Sequence, residues 1–368
     1  MPSINHKNII RGLLLASASL VICLLLADLC IRIFYKSSVD TELLTARLQV
    51  GSIKDMIQPS RDPALHYEMK PDLEMDHFGA TVSTSPDGIR ISGQASDLPL
   101  QRIRLAVLGD STSFGWRVDY NDSYPEIYRQ HMERTANVPI ELKNASVPGY
   151  NSSQELLVFL NKVIPYEPDL LILHYDHNDS YPNDHFHSAT YLHPTYGDNP
   201  LSSALVKLSL RTYRRWQYAI SLSYDQGQHE HIGGYIVSGP LYDAHLQALQ
   251  TIATRTRELG IPTIVVVFTS DAVADERMLT DPDYVTLHAN LVARLVEMKF
   301  HVLDLFPLHQ ARLRKMGWSN LSEWWVSNEE PPDRHPNRDG HQFISEQLVE
   351  YTHRQPELLK IFKNSLPR

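Results

Sequence analysis

From about residue 102 onward, apolar runs alternate with segments of helical periodicity, and this pattern constrains the fold more than any other feature of the chain. Apolar runs typical of buried strands occupy 103–109, 140–147, 169–175, 262–268 and 301–306. Helical periods occupy 123–135, 152–164, 242–260 and 340–355. Strands that alternate with helices are joined by right-handed crossovers and form a parallel sheet covered on both faces. The pattern therefore predicts an α/β fold.

An apolar segment near the N-terminus, 12–31, has about the 20 residues that a helix needs to cross a bilayer. A cleaved signal peptide would need a small-x-small site after it, and none follows. A lipoprotein would need a small residue before Cys30, where Leu29 stands. A buried soluble helix is rarely apolar on every side. We therefore predict that 1–36 is an uncleaved single-pass membrane anchor.

Cysteine usage favours a location outside the cytoplasm. Cys23 and Cys30 both lie in the apolar segment, and the rest of the chain has none. A thiol-free domain suits an oxidising compartment such as a periplasm. We expect the catalytic domain on the outer side of the inner (cell) membrane, although basic residues on both sides of the segment leave its orientation open. The net charge of −9 argues against nucleic acid as a partner.

The remainder of the chain divides into an extension and a main domain. Residues 37–101 are predicted to pack on the main domain as an N-terminal extension, with a Pro-Asp-Gly turn between two short strands. The main domain is expected over 102–368, with an insertion at about 181–241. Within the insertion, 203–220 has a helical apolar face. This helix is interpreted as a lid, a membrane-surface helix or a helix packed on the core.

Candidate catalytic residues follow the predicted strands. Ser111 comes directly after the first strand, where its hydroxyl and its backbone N–H would face the same space. Gly149 follows the second strand and can present a bare N–H, and Asn178 follows the third with a side-chain amide. A serine needs a base, and near the C-terminus His335 can take the proton while Asp333 orients its ring.

Four short blocks carry a resemblance to a known family. "GDSTSFG", "NASVPGY", "HND" and "DRHPN" with a following "GH" are similar to the conserved blocks of the SGNH (GDSL-type) hydrolases, membrane-anchored bacterial members included. The resemblance covers roughly 103–352. It implies a three-layer α/β/α sandwich with a central parallel sheet of the flavodoxin-like type, ester hydrolysis, and no metal or other cofactor.

The resemblance also assigns roles to individual residues. Ser111 is the expected nucleophile, His335 the base and Asp333 the acid of the triad. The backbone N–H groups of Ser111 and Gly149, with the side chain of Asn178, are the expected oxyanion hole.

Three features depart from the family pattern or compete with it. Asp176 stands where the family has glycine, two residues before the oxyanion-hole asparagine, and the spacing of Asp333 from His335 is one residue shorter than the common form. His341 is a rival base, although a histidine at a helix start more often packs or caps. The stretch 174–193 is rich in His and Asp but fits no compact zinc pattern.

The sequence thus predicts a serine esterase that acts on O-acyl, first of all O-acetyl, esters of envelope or extracellular glycans. A lipid or lysophospholipid esterase and a glycan O-acyltransferase are the alternatives that use the same triad. An envelope protein that only binds a glycan or a partner is the alternative of another class. The oligomeric state is left open.

Overall fold

The computed structural model describes most of the chain. The described residues are 6–34, 53–92, 99–181, 231–232, 235–268, 281–318, 321–327 and 333–363. The chain divides into two compact units, one of Met1–Gly51 with Ser188–Ser223 and one of Ser52–His187 with Tyr224–Arg368. The predicted helix at 203–220 lies outside the described residues.

The first unit contains helix α1, His6–Phe34, in the segment for which a membrane anchor over 1–36 was predicted. Its two cysteines, Cys23 and Cys30, are exposed and unbonded. Across the part of the chain that the structure describes, no helix is long and apolar enough to pass through a membrane. The structure confirms a helix here and does not support the membrane-spanning role.

The second unit holds fourteen strands and nine α-helices among its described residues. The strands are β1 Ile57–Pro59, β2 Tyr67–Met69, β3 Glu74–His77, β4 Ala80–Thr84, β5 Arg90–Ile91, β6 Ile103–Leu108, β7 Ile140–Asn144, β8 Leu170–Tyr175, β9 His231–Ile232, β10 Tyr235–Ile236, β11 Thr263–Val267, β12 His301–Asp304, β13 Trp325–Ser327 and β14 Asp333–Pro336. The helices are α2 Ile53–Met56, α3 Ser111–Phe114, α4 Tyr124–Ala136, α5 Ser152–Val158, α6 Pro240–Leu259, α7 Pro282–Glu297, α8 Phe306–Met316, α9 Arg338–Arg354 and α10 Pro356–Lys363.

The central sheet has eight strands in the order β12-β11-β8-β6-β7-β5-β4-β3. The first five run parallel, in the positions that the apolar runs predict. The last three come from the N-terminal extension and run antiparallel, and β5 joins them to β7 through the pair Arg90 and Asn144. The prediction of a central parallel sheet is therefore confirmed for five of its strands and wrong for the other three. The sheet is mixed because short hairpin turns connect β3, β4 and β5, and a short turn can only join antiparallel neighbours.

The five parallel strands, β12, β11, β8, β6 and β7, are called the parallel half of the sheet below, and the other three the antiparallel half. Both faces of the parallel half are buried. Alternate strand residues such as Leu105, Ile172 and Val266 join one apolar cluster with side chains of α4, α9 and α10. The residues between them, including Leu173 and Val265, are also fully buried. Helices α5 and α6 pack against each other and bury their own apolar residues outside that cluster. The α/β architecture thus has helices on both sides of the sheet, as alternating strands and helices predict.

Helix boundaries depart from the sequence pattern in particular places. The helix predicted over 152–164 ends at Val158 and continues as a π-helical turn, Phe159–Val163, and a short 3₁₀ turn, Ile164–Tyr166. Pro165 in that turn lacks the N–H that a regular α-helix requires. Helices α7, α8 and α10 were not predicted.

Candidate active site

The segment after β6 places Ser111 at the carboxyl end of the central strand. Gly109 has φ +154°, and a Cβ there would lie 2.4 Å from the Ser113 Oγ and 2.7 Å from the His174 Cβ, so no larger residue fits. The Asp110 carboxylate accepts a hydrogen bond from the Thr112 N–H at 3.1 Å and caps α3. Ser111 is therefore the first residue of helix α3.

The structure brings Ser111, His335 and Asp333 together in one hydrogen-bonded line. The Ser111 Oγ lies 2.8 Å from the His335 Nε2, and the His335 Nδ1 lies 2.6 Å from the Asp333 Oδ1. An ionised carboxylate can only accept hydrogen bonds, so Nδ1 carries the ring proton and Nε2 is left to accept the serine hydroxyl. This tautomer is the one that a general base toward Ser111 requires.

Two further donors hold the second oxygen of Asp333. The Oδ2 accepts from the Trp116 indole N–H at 3.1 Å and from the Arg117 Nη1 at 2.9 Å. Burial favours the neutral carboxyl, but the hydrogen bond and charge of His335, and then the hydrogen bond from Arg117, hold the pKa of Asp333 well below its usual range. Asp333 in turn raises the pKa of His335 above its ordinary value, against the effect of burial.

The rival base, His341, makes contacts that stabilise the fold rather than contacts with Ser111. It lies fully buried in α9, stacks on the Tyr124 ring, and its Nδ1 accepts the Tyr124 backbone N–H at 3.2 Å. Burial, with smaller contributions from nearby cations, lowers the pKa of His341 to about 3. Its hydrogen bond stabilises the start of α4, and it has no described hydrogen bond to Ser111.

Gly149 lies in a tight turn after β7. The Tyr150 N–H donates to the Val147 carbonyl at 3.1 Å, with Pro148 and Gly149 between them. Gly149 has φ +80°, and proline followed by a left-handed glycine is typical of a type II turn. The hydroxyl of Tyr67, from β2, donates to the Pro148 carbonyl at 2.8 Å and fastens this turn from the N-terminal extension.

Asn178 lies in a 3₁₀ turn, His177–Ser180, directly after β8. The placement of its side chain is outside the described part of the structure. The neighbouring Asp179 accepts from the Asp176 N–H at 2.7 Å and from the Ser152 hydroxyl at 2.6 Å. Burial raises the pKa of Asp179 well above its usual value. These two hydrogen bonds anchor the turn that carries Asn178.

Asp176, the departure from the family pattern, is buried in a small polar group. One ligand atom each from Asp110, His174 and Asp176 lies within 4.8 Å of the others, and this is the group of candidate metal ligands that the described residues contain. Burial and then the charge of Asp176 raise the pKa of Asp110. One imidazole and two carboxylates are a donor set that divalent metals accept. Of the stretch 174–193, residues beyond 181 lie outside the described part.

Sequence reasoning missed Arg90, which holds the segment behind Ser111. Its guanidinium donates to the carbonyls of Phe114, of Gly115 at 2.6 Å and of Val118 at 2.7 Å. The side chain is 1% exposed, and burial lowers the pKa of Arg90 to about 10. The signal available was an arginine between two isoleucines after a Pro-Asp-Gly turn, since strand alternation puts it on the opposite face from both.

Comparison with known proteins identifies the family. The model of the GDSL-like lipase/acylhydrolase family matches residues 107–343, more than half of the chain. No curated protein matches the sequence.

The solved structures to which this chain is similar include TesA, at 13% identity and a TM-score of 0.40, covering 69% of this chain and 99% of TesA. The esterase EstA from Pseudoalteromonas sp. is 14% identical with a TM-score of 0.40, covering 68% of this chain and 97% of its own. A catalytic mutant of the acetylxylan esterase Axe2 from Geobacillus stearothermophilus is 13% identical with a TM-score of 0.42, covering 68% and 93%. By its family match the chain belongs to the GDSL-like lipase/acylhydrolase family and is an ester-hydrolysing enzyme.

Proposed function

We propose that the protein is a serine esterase that cleaves O-acyl esters, chiefly O-acetyl esters of glycans, through Ser111, His335 and Asp333. One observation carries this proposal: the 2.8 Å contact between the Ser111 Oγ and the His335 Nε2, with Asp333 on the opposite ring nitrogen. A serine hydroxyl is a poor nucleophile unless a base accepts its proton, and this arrangement supplies the base in the required tautomer.

The proposed reaction has two halves. In the first, His335 removes the hydroxyl proton while the Ser111 Oγ bonds to the ester carbonyl carbon, and the carbonyl oxygen becomes an oxyanion. Backbone N–H groups of Ser111 and Gly149 and the amide of Asn178 are the proposed donors to that oxyanion. The tetrahedral intermediate collapses, and the alcohol leaves with the proton from His335. In the second half water repeats these steps, which releases the acid and restores Ser111.

The first experiment is turnover of p-nitrophenyl acetate by the full-length protein and by Ser111→Ala. Removal of the nucleophile should lower kcat by about 10³-fold or more. Ser153→Ala is the matched control, because it deletes another serine hydroxyl, at a partly buried position of helix α5. Equal rates in wild type and Ser111→Ala would contradict the assignment of Ser111 as the nucleophile. Turnover by the wild type but not by Ser111→Ala would reject the alternative that the protein only binds its ligand.

The substrate class is tested by the acyl-chain profile. The predicted location of the domain outside the cytoplasm favours acetyl esters of glycans as substrates. The interpretation of 203–220 as a lid or membrane-surface helix favours lipid esters with longer acyl chains. Rates on acetyl, butyryl, octanoyl and palmitoyl esters should fall with length if glycan acetyl groups are the substrate. A rise toward long chains would favour the lipid esterase. Acyl transfer is separated by adding a glycan acceptor and measuring acylated glycan against free acid.

The location outside the cytoplasm remains a prediction from the sequence. A reporter that folds only in an oxidising compartment, fused after Arg368, should be active if the prediction holds. Activity from a second fused reporter that functions only in the cytoplasm, with none from the first, would contradict it.

A further inference from the structure

The tip of the β3–β4 hairpin has an unusual residue in a demanding position. Phe78 and Gly79 form the two-residue turn, with φ +55° and +83°. A hairpin turn with both central residues left-handed favours Asn-Gly or Asp-Gly, and a bulky residue at the first position is sterically unfavourable. Phe78 is also 43% exposed, so burial does not account for the phenylalanine.

The phenylalanine ring lies against a residue that contacts the triad acid. The guanidinium carbon of Arg117 lies 4.1 Å from the centre of the Phe78 ring, and the Arg117 Nη1 donates to the Asp333 Oδ2 at 2.9 Å. Arg117 is itself left-handed, with φ +57°. Two non-glycine residues therefore occupy unfavourable backbone conformations and contact each other. One of them, Arg117, donates a hydrogen bond to Asp333. Such strain recurs where a site must be held in one geometry.

The hairpin is fixed to the same segment of backbone. The Thr81 N–H donates to the Asp119 carboxylate at 2.8 Å, two residues beyond Arg117. His77, the last residue of β3, contacts the same segment, since its ring lies 4.5 Å from that of Trp116, the second donor to Asp333. Each of the two donors to the Asp333 Oδ2 thus contacts a side chain of the β3–β4 hairpin: Arg117 contacts Phe78, and Trp116 contacts His77.

We propose that Phe78 and Arg117 form a positioning pair for the triad acid, so that the N-terminal hairpin fixes the orientation of Asp333 toward His335. This inference rests on the proposed function. An arginine side chain is long and flexible, and stacking on an aromatic face holds its planar guanidinium in one orientation. With Oδ2 held in this way, the other oxygen of Asp333 faces the His335 Nδ1.

Phe78→Asn separates positioning from stability. Asparagine suits the left-handed turn, so the thermal midpoint should stay the same or rise, while the lost ring frees Arg117. We expect kcat to fall by about tenfold with KM within twofold, because a displaced catalytic group lowers the rate of the chemical step. Phe78→Tyr should restore wild-type kcat. Lys299→Asn is the matched control, since it introduces the same asparagine at another left-handed residue, at φ +71° in the turn before β12.

A double-mutant cycle with Arg117→Gln tests the pair directly. If Phe78 acts through Arg117, Phe78→Asn should have no further effect on kcat in the Arg117→Gln background. Wild-type kcat in Phe78→Asn, or effects that multiply in the double variant, would overturn the positioning pair while Ser111→Ala remains inactive. Esterase activity retained in Ser111→Ala would instead overturn the proposed function, and the pair with it.

Discussion

The parallel and antiparallel halves of the sheet contribute different things to the site. The parallel half places Ser111 and the turns of Gly149 and Asn178 at the carboxyl ends of its strands, where ligands bind in open α/β sheets. The antiparallel half and β2, all from the extension, contribute no proposed reacting group. They hold the segments that do: Arg90 binds the backbone after Ser111, and Tyr67 binds the turn of Gly149.

This difference has an energetic side. The parallel half is stabilised by apolar burial, which tolerates many residue choices. The contact between Arg90 and three carbonyl groups instead buries a charge, and a buried charge is acceptable only when its hydrogen bonds are satisfied. The extension thus acts through a few specific polar contacts, whose removal should reveal its contribution.

The largest effect should come from the proposed catalytic triad. Asp333→Asn keeps the shape of the side chain but no longer enforces the Nδ1–H tautomer of His335, so kcat should fall by about 10³–10⁴-fold. Steady-state kinetics and a thermal melt of the same preparation check this. A fall below tenfold in a folded variant would contradict the role of Asp333.

The second effect concerns the extension. Arg90→Met keeps the length of the side chain but leaves the carbonyls of Phe114, Gly115 and Val118 without this donor, which should lower the free energy of unfolding by about 2–5 kcal/mol. Urea denaturation measures the change. Arg104→Met is the control, because Arg104 makes an exposed ion pair with Glu167 and its loss should cost about 0–1 kcal/mol. Equal losses in the two variants would remove the distinction between the halves.

A smaller effect is expected at the Gly149 turn. Tyr67→Phe deletes one hydroxyl and leaves the buried Pro148 carbonyl without its side-chain donor, at a cost of about 1–2 kcal/mol. Urea denaturation measures the loss, and kcat should fall while KM holds if the turn positions an oxyanion donor. Tyr166→Phe is the control, since its hydroxyl donates to the part-buried Glu141 carbonyl.

The smallest effect is a shift in pH dependence. In the proposed reaction His335 must be neutral to accept the serine proton, and its raised pKa should place the acid limb of kcat/KM above the ordinary histidine value of about 6.5. The negative charge of Asp176 is one of the causes of that rise, so Asp176→Asn should move the acid limb to lower pH. A shift to higher pH would contradict the arrangement. By the same linkage, the stability contributed by protonated His335 is fully present below its unfolded pKa and is lost as pH rises through its folded pKa.

The sequence was informative where local pattern and chemistry coincide. The five parallel strands follow from apolar runs, and Ser111, Asp333 and His335 follow from their positions relative to those strands and from the family blocks. The hydrogen bonds among these three residues could be identified only in the structure. Of the antiparallel strands, β4 and β5 match the two short strands predicted on either side of the Pro-Asp-Gly turn. Strand β3 was not predicted, because "EMDH" has one apolar residue, and the pairing of β5 with β7 required the structure.

Contacts between distant segments were equally beyond the sequence pattern. Nothing local to Arg90 or Phe78 indicates that one binds carbonyls more than 20 residues away or that the other contacts Arg117. Asp176 was recognised as a departure, but only the fold shows that its carboxylate joins Asp110 and His174 in a buried group. Such residues are identified by three-dimensional neighbours rather than by spacing.

Covalent labelling is the sharpest test of whether His335 activates Ser111. The full-length protein is treated with a fluorophosphonate, which bonds to activated serines, and the modified residue is located by peptide mass spectrometry. We expect one label per chain, on Ser111, with loss of esterase activity in proportion and much slower labelling in His335→Ala. A label on any other residue, or full activity in protein labelled at Ser111, would contradict this expectation.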